Sequence, residues 1–368
     1  MNIKKESQVD LAIFTPTLEG GVGRVIVNLA KELSYQGYKI EIVTLFVKKE
    51  IAIPSEVSVV SLGETRTFKS LPKLIRYLRE RKPDRLLSAI YHANLVALWA
   101  HMFLRSRSFL AISEHITLSH ALQQEPFFLR IILRLLIRLF YPFADVIITV
   151  SEGAAQDLRE RGIDPKKIRV IYNLVVTRDL FIDAQADIDH LWFRNKKLPI
   201  ILGVGRLTEQ KDFITLLKAF SVLQRRFPCR LVIIGEGKER ERLALMAQEL
   251  HLTNKIAFLG FIPNPYPYFK RADLFVLSSS WEGLPTVLIE AIALGVPVVS
   301  TDCESGPREI LEHTKWGKLV PVGNQKKMAE AMEEMLQSHS KSLDKSRLDR
   351  FSSEGVLKNY ISILFSCK

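Results

Sequence analysis

The chain has 368 residues, 47% hydrophobic and 25% charged, which is enough apolar mass for two ordinary domains and excludes a disordered or fibrous chain. Its three cysteines (Cys229, Cys303 and Cys367) are too few and too scattered for a disulfide framework or a structural zinc site, and suit a reducing cytosol. Fifty-two Lys and Arg against forty Asp and Glu leave +12, of which residues 1–180 carry +8; such a bias fits nucleic acid, anionic lipid or a phosphorylated small molecule without choosing among them.

The N-terminal residues offer only Leu11–Phe14 as an apolar run, so no signal peptide is expected. Asp10–Thr15 then reads as a strand, Leu18–Gly23 as a glycine-rich loop, Val25–Leu33 as a helix stopped by Gly37, and Tyr38–Leu45 as the next strand. A helix between two such strands implies a parallel sheet with right-handed crossovers. Further strands are predicted at Val57–Ser61, Leu86–Ile90, Phe109–Ser113, Val146–Val150 and Ile168–Tyr172. The uncharged run Leu86–Leu104 reaches transmembrane length, but Ser88, His92, Asn94 and His101 interrupt it, and it reads as a buried strand entering a buried helix.

From Asn173 to Lys197 the pattern fails, and then the alternation restarts. Strands are predicted at Ile200–Gly205, Arg230–Gly235, Ile256–Gly260, Leu274–Ser278, Val296–Ser300 and Lys318–Val320. Helices are predicted at Asp212–Gln224 with Asp212 as N-cap, Glu239–Leu250, Pro285–Leu294 with Pro285 as its first residue, and Gln325–Gln337. A last helical segment spans Ser353–Lys368. The economical reading is an α/β protein of two tandem doubly wound, Rossmann-like domains, residues 1–178 and 198–345, whose strand carboxyl ends open toward one interdomain cleft.

Several strand ends carry candidate chemistry. In Glu282-Gly283-Leu284-Pro285-Thr286-Val287-Leu288-Ile289-Glu290, Glu282 precedes a helix whose free amides at Leu284, Thr286 and Val287 favour phosphate. Glu290 then lies about 7.5 Å along the axis from Pro285, at ~1.5 Å per residue. One carboxylate beside an anion site and one deeper suit a nucleotide-sugar; a capped helix with a buried, paired glutamate is the plainer alternative. Arg206 and Lys211, between a strand end and a helix start, can clamp a diphosphate without a metal, although most surface cations are merely solvated. Gly21 and Gly23 open the first helix and permit close backbone approach to a ligand, or simply a tight turn. The string is not GxGxxG and no acidic residue ends the second strand, which disfavours a dinucleotide.

Ser113-Glu114-His115 ends a strand, where a neutral His115 can hydrogen-bond a sugar hydroxyl or phosphate oxygen, though a lone histidine is more often structural. Glu236, in Gly235-Glu236-Gly237, and Phe261, after Gly260, could hold a base or make turns. The segment Pro126–Tyr141 is the most unusual. Arg130, Arg134 and Arg138 form one basic ridge about 80° wide at ~100° per residue, with large apolar residues elsewhere and no acid to pair them. Such a helix would lay its ridge on anionic headgroups, or pack in the core with a solvated arginine edge.

Together these residues resemble glycosyltransferase family 4, the retaining enzymes of two-Rossmann-domain (GT-B) architecture, over nearly the whole chain. Glu282–Glu290 matches the family's E-x7-E motif, Arg206 and Lys211 its diphosphate pair, Gly21 and Gly23 its N-terminal glycine loop, and His115 its donor-sugar histidine. The resemblance implies that Glu282 contacts the transferred sugar and Glu290 the ribose, and that the terminal helix 353–368 crosses back onto the first domain. Asp302–Ile310 and Lys318–Gly323 are similar to a bacterial subgroup that uses UDP-sugars and builds surface polysaccharides on polyprenyl-diphosphate carriers. Asp212 stands where the family usually has glycine, and Tyr172-Asn173-Leu174 where it often has Pro-Asn-Gly.

The expected activity is therefore retaining transfer of a hexose or N-acetylhexosamine from a UDP-sugar to a lipid-linked glycan, at the cytoplasmic face of the plasma membrane. No cofactor, metal or nucleic acid is expected. Asp187-Ile188-Asp189, which matches a metal-binding DxD string of another glycosyltransferase fold, lies in the irregular stretch and reads as chance. A UDP-sugar epimerase or hydrolase, a NAD-dependent dehydrogenase and a non-enzymatic basic protein binding membrane or nucleic acid are the alternatives.

Overall fold

The computed structural model describes residues 9–47, 53–338 and 345–366. The chain divides into two compact units, residues 1–174 with 350–368, and residues 175–349. The stretch 179–197, expected to join two domains, thus falls within the second unit, and the terminal helix belongs to the first.

In the first unit, strands β1 (Leu11–Thr15), β2 (Ile40–Thr44), β3 (Ser58–Ser61), β4 (Arg85–Ala89), β5 (Phe109–Glu114), β6 (Val146–Thr149) and β7 (Ile168–Val170) alternate with helices. The helices are α1 (Gly20–Tyr35), α2 (Leu71–Arg81), α3 (Tyr91–Leu104), α4 (Leu118–Gln123), α5 (Phe127–Phe140) and α6 (Glu152–Glu160). All pairings are parallel, in the order β3-β2-β1-β4-β5-β6-β7. Every residue of β1 and β2 is buried because both faces are covered, as parallel sheets require. Phe14, Val43, Leu86 and Ile112 share one core with residues of α2, α3 and α5, while Ile13, Ile42, Leu87 and Ala111 share the other with residues of α1 and the terminal helix.

The uncharged run resolves into β4 and α3, separated by Ile90 at φ +78. Among the described residues no helix is long and apolar enough to cross a membrane.

The second unit begins with two short helices, α7 (Arg178–Asp183) and α8 (Leu191–Arg194), which the sequence pattern misses because four to six residues cannot show a period. The alternation then runs β8 (Ile200–Val204), α9 (Phe213–Leu223), β9 (Arg230–Ile234), α10 (Arg240–Glu249), β10 (Ile256–Phe258), α11 (Tyr266–Arg271), β11 (Leu274–Leu277), α12 (Thr286–Ala293), β12 (Val298–Thr301), α13 (Pro307–Ile310), β13 (Lys318–Val320) and α14 (Gln325–Gln337). Its sheet, β10-β9-β8-β11-β12-β13, is also wholly parallel. Asp212 caps α9 as expected: its carboxylate accepts from the Thr215 amide at 3.1 Å and the Thr215 hydroxyl at 2.6 Å.

The terminal helix α15 (Ser353–Leu364) starts at a Ser352 cap that accepts from Gly355 N at 3.2 Å. Arg85 Nε donates to the Leu364 carbonyl, and the same guanidinium lies over Phe365, which stacks on Tyr38 at 3.9 Å. The expected helix extends to 368; Leu364 ends it, and Cys367 and Lys368 lie outside the described residues.

Both sheets follow the doubly wound order. Chain direction across the sheet reverses between β1 and β4 in one and between β8 and β11 in the other, and ligands of such sheets bind outside the strand carboxyl ends at that switch.

Candidate active site

At the switch of the second sheet, the loops leaving β8 and β11 lock together. Gln210 Nε2 donates to Trp281 O at 3.0 Å, Ser280 N to Gln210 O at 2.8 Å, and Ser278 Oγ to Lys211 O at 2.7 Å. These bonds carry Lys211 to Glu282: Nζ lies 2.5 Å from Oε1, and Ser279 Oγ donates to the same oxygen at 2.6 Å. Lys211 is therefore paired with Glu282 rather than standing as an open cation. Its ammonium has three donors, so one pairing leaves capacity for an anion.

Arg206, at the same end of β8, is exposed and makes no ion pair among the described residues. Beyond β9, Glu236 is exposed, and beyond β10 Phe261 keeps 70% of its surface open, a free aromatic face.

Helix α12 starts at Thr286, one residue later than expected, because Pro285 at ψ 103 acts as its N-cap. The Thr286 and Val287 amides lie in the first turn, where no preceding helical carbonyl can accept them, and the Leu284 amide immediately precedes the cap. Glu290 sits in the second turn, 1% exposed. The Glu282–Pro285 loop is braced from behind by the loop after β12. Ser305 Oγ donates to Gly283 O at 2.9 Å, and Thr301 Oγ1 to Ser279 O at 2.5 Å. Gly306, at φ +90, approaches so closely that a Cβ there would lie 2.6 Å from Pro285 Cδ and 2.8 Å from Gly283 O. Burial and Glu282 push the neighbouring Cys303 thiol up to about 12, leaving it protonated. The hydroxyls of Ser278 and Ser279, which bond Lys211 O and Glu282 Oε1, escaped the sequence reading, although the run Ser278-Ser279-Ser280 at a strand end was an available signal. Nothing local marked Thr301 and Ser305 as braces.

In the first unit, Gly21 and Gly23 lie inside the first turn of α1, not in a loop before it. The helix starts early because Gly23 lets its turn close onto the preceding chain: a Cβ would lie 2.0 Å from the Leu18 carbonyl. His115 follows β5 and is buried, with Nε2 2.9 Å from Ser113 Oγ. Burial pushes its imidazole down to about 4 against an opposing pull from Asn173, so it is neutral at pH 7.

Glu114, on the opposite face of β5, was not singled out by the sequence. It accepts from Asn94 Nδ2 at 2.8 Å and from the Tyr141 hydroxyl, and burial pushes its carboxyl up to about 7.

Helix α5 presents a run of exposed apolar side chains. Only Leu133 and Ile137 are buried, while Phe127, Phe128 (79% exposed), Leu129, Ile131, Ile132, Leu135 and Leu139 are all exposed. At about 100° per residue, the row Phe128, Ile131, Ile132, Leu135 and Leu139 lies opposite the buried pair, and Arg130, Arg134 and Arg138 occupy one flank. Those arginines make no ion pair among the described residues; Arg130 lies 5.3 Å from the Phe127 ring centroid.

Comparison with known proteins gives these features a family. Residues 186–350 match the model of glycosyl transferases group 1, and residues 19–179 that of Glycosyltransferase Family 4. The chain is 32% identical over 339 residues, 89% of it and 90% of the relative, to the N-acetylgalactosamine-N,N'-diacetylbacillosaminyl-diphospho-undecaprenol 4-alpha-N-acetylgalactosaminyltransferase of Campylobacter jejuni. It is 27% identical to the lipopolysaccharide 1,6-galactosyltransferase of Escherichia coli, over 72% of this chain and 69% of that one. Among solved structures, Anabaena HepE in complex with UDP and glucose superposes with a TM-score of 0.80 over 97% of this chain and 99% of that one; at 19% identity the agreement is one of fold, GT-B. Sequence motifs, doubly wound topology and relatives agree: the chain belongs to glycosyltransferase family 4 and is a glycosyltransferase.

Proposed function

We propose that the protein moves a hexose or N-acetylhexosamine from a UDP-sugar, with retention at the anomeric carbon, to a polyprenyl-diphosphate-linked glycan in bacterial surface-polysaccharide synthesis. The observation that carries this reading is the Lys211–Glu282 pair at the switch point of the second sheet, directly ahead of the α12 amides.

The negative charge that develops on the leaving diphosphate is held by Arg206, Lys211 and the amides of Leu284, Thr286 and Val287, groups already fixed before reaction. Glu282, oriented by Lys211 and Ser279, contacts the transferred sugar, while the acceptor hydroxyl attacks from the leaving-group side, so no covalent intermediate on Glu282 is needed. Glu290 serves the ribose, and Phe261 and Glu236 the base. Gly21 and Gly23 admit the donor close to the α1 backbone, and neutral His115 hydrogen-bonds the sugar. No metal takes part in this scheme, so activity persists in EDTA.

The acceptor class is supported by the relatives' lipid-linked and lipopolysaccharide substrates. Helix α5 supports peripheral contact with anionic lipid at the inner face of the plasma membrane: its apolar row enters the interface and its arginines meet headgroups.

The test is a panel of UDP-hexoses and UDP-N-acetylhexosamines, assayed with a short-chain polyprenyl-diphosphate saccharide and with EDTA. Acceptor-dependent UDP release and an α-linked product from an α-linked donor are expected. UDP release or epimerisation without acceptor would replace this reading by a hydrolase or epimerase, and an inverted product would remove retention.

A further inference from the structure

We infer that His92 and Glu125 form a sugar-binding subsite in the first unit: the His92 imidazole, oriented by the Glu125 carboxylate, receives a hydroxyl of the acceptor saccharide, with Phe68 beside it as an apolar wall. The inference rests on the function proposed above and deepens it by naming where the acceptor sugar is held.

The subsite starts from the backbone. Strand β4 ends at Ala89, beside β1 at the switch of the first sheet, and α3 begins at Tyr91. Between them Ile90 sits at φ +78 and ψ 134, a conformation that a β-branched residue rarely adopts. Ile90 N donates to Ser113 O at 3.1 Å, and Asn94 N to Ile90 O at 2.9 Å. This sharp turn sets His92 in the first turn of α3, at the strand carboxyl ends where ligands of such sheets bind.

Glu125 reaches the same place from the connection between α4 and α5. Its Oε1 accepts from the Tyr91 hydroxyl at 2.7 Å and lies 3.4 Å from His92 Nε2. The Tyr91 ring lies against the imidazole with centroids 3.8 Å apart, and Phe68, in the single turn Thr67–Ser70, meets it in a T-shaped contact at 5.6 Å. The imidazole is thus held in place, yet the His92 and Glu125 side chains stay 28% and 21% exposed, and Phe68 38%. A fixed polar pair open to solvent beside an exposed aromatic ring suits a saccharide, which brings hydroxyls to the one and a C–H face to the other.

The protons decide which group the imidazole takes. A carboxylate only accepts, so Nε2, facing it, carries the ring proton. Burial holds the imidazole below its ordinary value against the opposing pull of Glu125, so at pH 7 the ring is neutral and has no second proton. Nδ1 is then an acceptor, suited to a sugar O–H and not to a phosphate oxygen. Glu125 directly precedes Pro126, the N-cap of α5, so the subsite adjoins the helix assigned above to the membrane interface, where a lipid-carried saccharide arrives.

Titration of the full chain with the methyl glycosides of galactose, glucose, N-acetylgalactosamine and N-acetylglucosamine, followed on the histidine ring signals, tests the subsite without turnover; His92→Ala identifies the signal. At least one glycoside is expected to move the His92 signal saturably, with Nδ1 unprotonated, and Phe68→Ala to weaken that binding. A His92 signal indifferent to all four, or a ring protonated on Nδ1, would overturn the subsite.

Turnover with the short-chain polyprenyl-diphosphate saccharide supplies the second readout. His92→Ala and Glu125→Ala are each expected to raise the acceptor KM about three- to tenfold, the worth of one net hydrogen bond, and to leave the donor KM unchanged. Glu125→Gln, whose amide oxygen still accepts from Nε2, is expected to recover most of the loss. In a His92→Ala background Glu125→Ala is expected to add nothing; an equal loss there would make Glu125 structural only. A parent-level acceptor KM in His92→Ala, or an equal rise in the donor KM, would overturn the inference. Absence of transfer by the parent chain would instead fail the proposed function, while the titration still decides the subsite.

Discussion

Lys211 and Glu282 meet at 2.5 Å although 71 residues separate them, and both side chains are largely buried. The pair exists because two strand-end loops are bonded together through Gln210, Ser278 and Ser280, so it is as rigid as the sheet that carries it.

Removing one partner leaves the other as an uncompensated, nearly buried charge. Lys211→Ala is expected to cost about 3–5 kcal/mol of stability as well as activity. Adding Glu282→Gln in the same chain neutralises the orphaned carboxylate and should restore much of the melting temperature but none of the turnover. Loss of a preorganised charge at the leaving group should lower kcat about a hundredfold or more. Parent-level turnover of Lys211→Ala would remove this lysine from the reaction.

Gly306→Ala tests the brace behind α12. The added methyl meets Pro285 Cδ and Gly283 O at a φ that favours glycine, so the Glu282–Pro285 loop must shift. A loss of about 1–3 kcal/mol and a raised donor KM are expected, because the shifted loop carries the anion-binding amides. Thermal melts and donor titrations check both; unchanged KM would mean that the loop tolerates the displacement.

The α5 surface predicts a salt-dependent lipid interaction. Replacing Arg130, Arg134 and Arg138 together by Gln should weaken binding to anionic vesicles roughly a hundredfold, at about 1 kcal/mol for each cation. Changing Ile131 and Leu135 to Ser should weaken binding to the same vesicles with less effect on its salt dependence. Cosedimentation with anionic and zwitterionic vesicles separates the two; equal affinity of parent and triple variant would rule out the headgroup contact.

Glu114 gives a pH prediction with a definite sign. Burial raises its folded pKa from an ordinary 4.5 to about 7, so folding favours the protonated form. Stability is therefore complete at low pH and lost as the pH rises from about 4.5 through about 7, by on the order of 3 kcal/mol. Glu114→Gln keeps an oxygen for Tyr141 and Asn94 and should raise the melting temperature at pH 8 more than at pH 5. His115, whose folded value is lowered, acts oppositely below pH 6.5 and is common to both chains. An equal shift at both pH values would place the carboxyl in a less desolvated setting.

Much of the molecule was legible in the sequence for local reasons. A strand buried on both faces is a short apolar run, and a helix against it repeats every three to four residues. Lys318–Val320 and Gln325–Gln337 therefore fall where the pattern put them, and most other predicted elements lie within two residues, while α2, α4, α6, α11 and α13 were not predicted. The E-x7-E string and the Arg206–Lys211 spacing were visible because each lies within one stretch of chain. The short helices α7 and α8 were not, since they are held by caps and a few contacts, such as Phe193 on Tyr268 at 5.2 Å, rather than by a repeating face.

The sequence by itself determined the alternation of strands and helices, the chemical types at the strand ends, and the basic apolar character of α5. Tertiary structure alone decided which groups meet: Lys211 with Glu282, Tyr141 with Glu114, His115 with Ser113. It also decided that α5 leaves its apolar row uncovered, because exposure depends on what other elements occupy, and no periodicity along one helix records its neighbours. Local pattern reflects the energy of single segments, whereas pairing across tens to hundreds of residues is fixed only when the sheet brings its strand ends side by side.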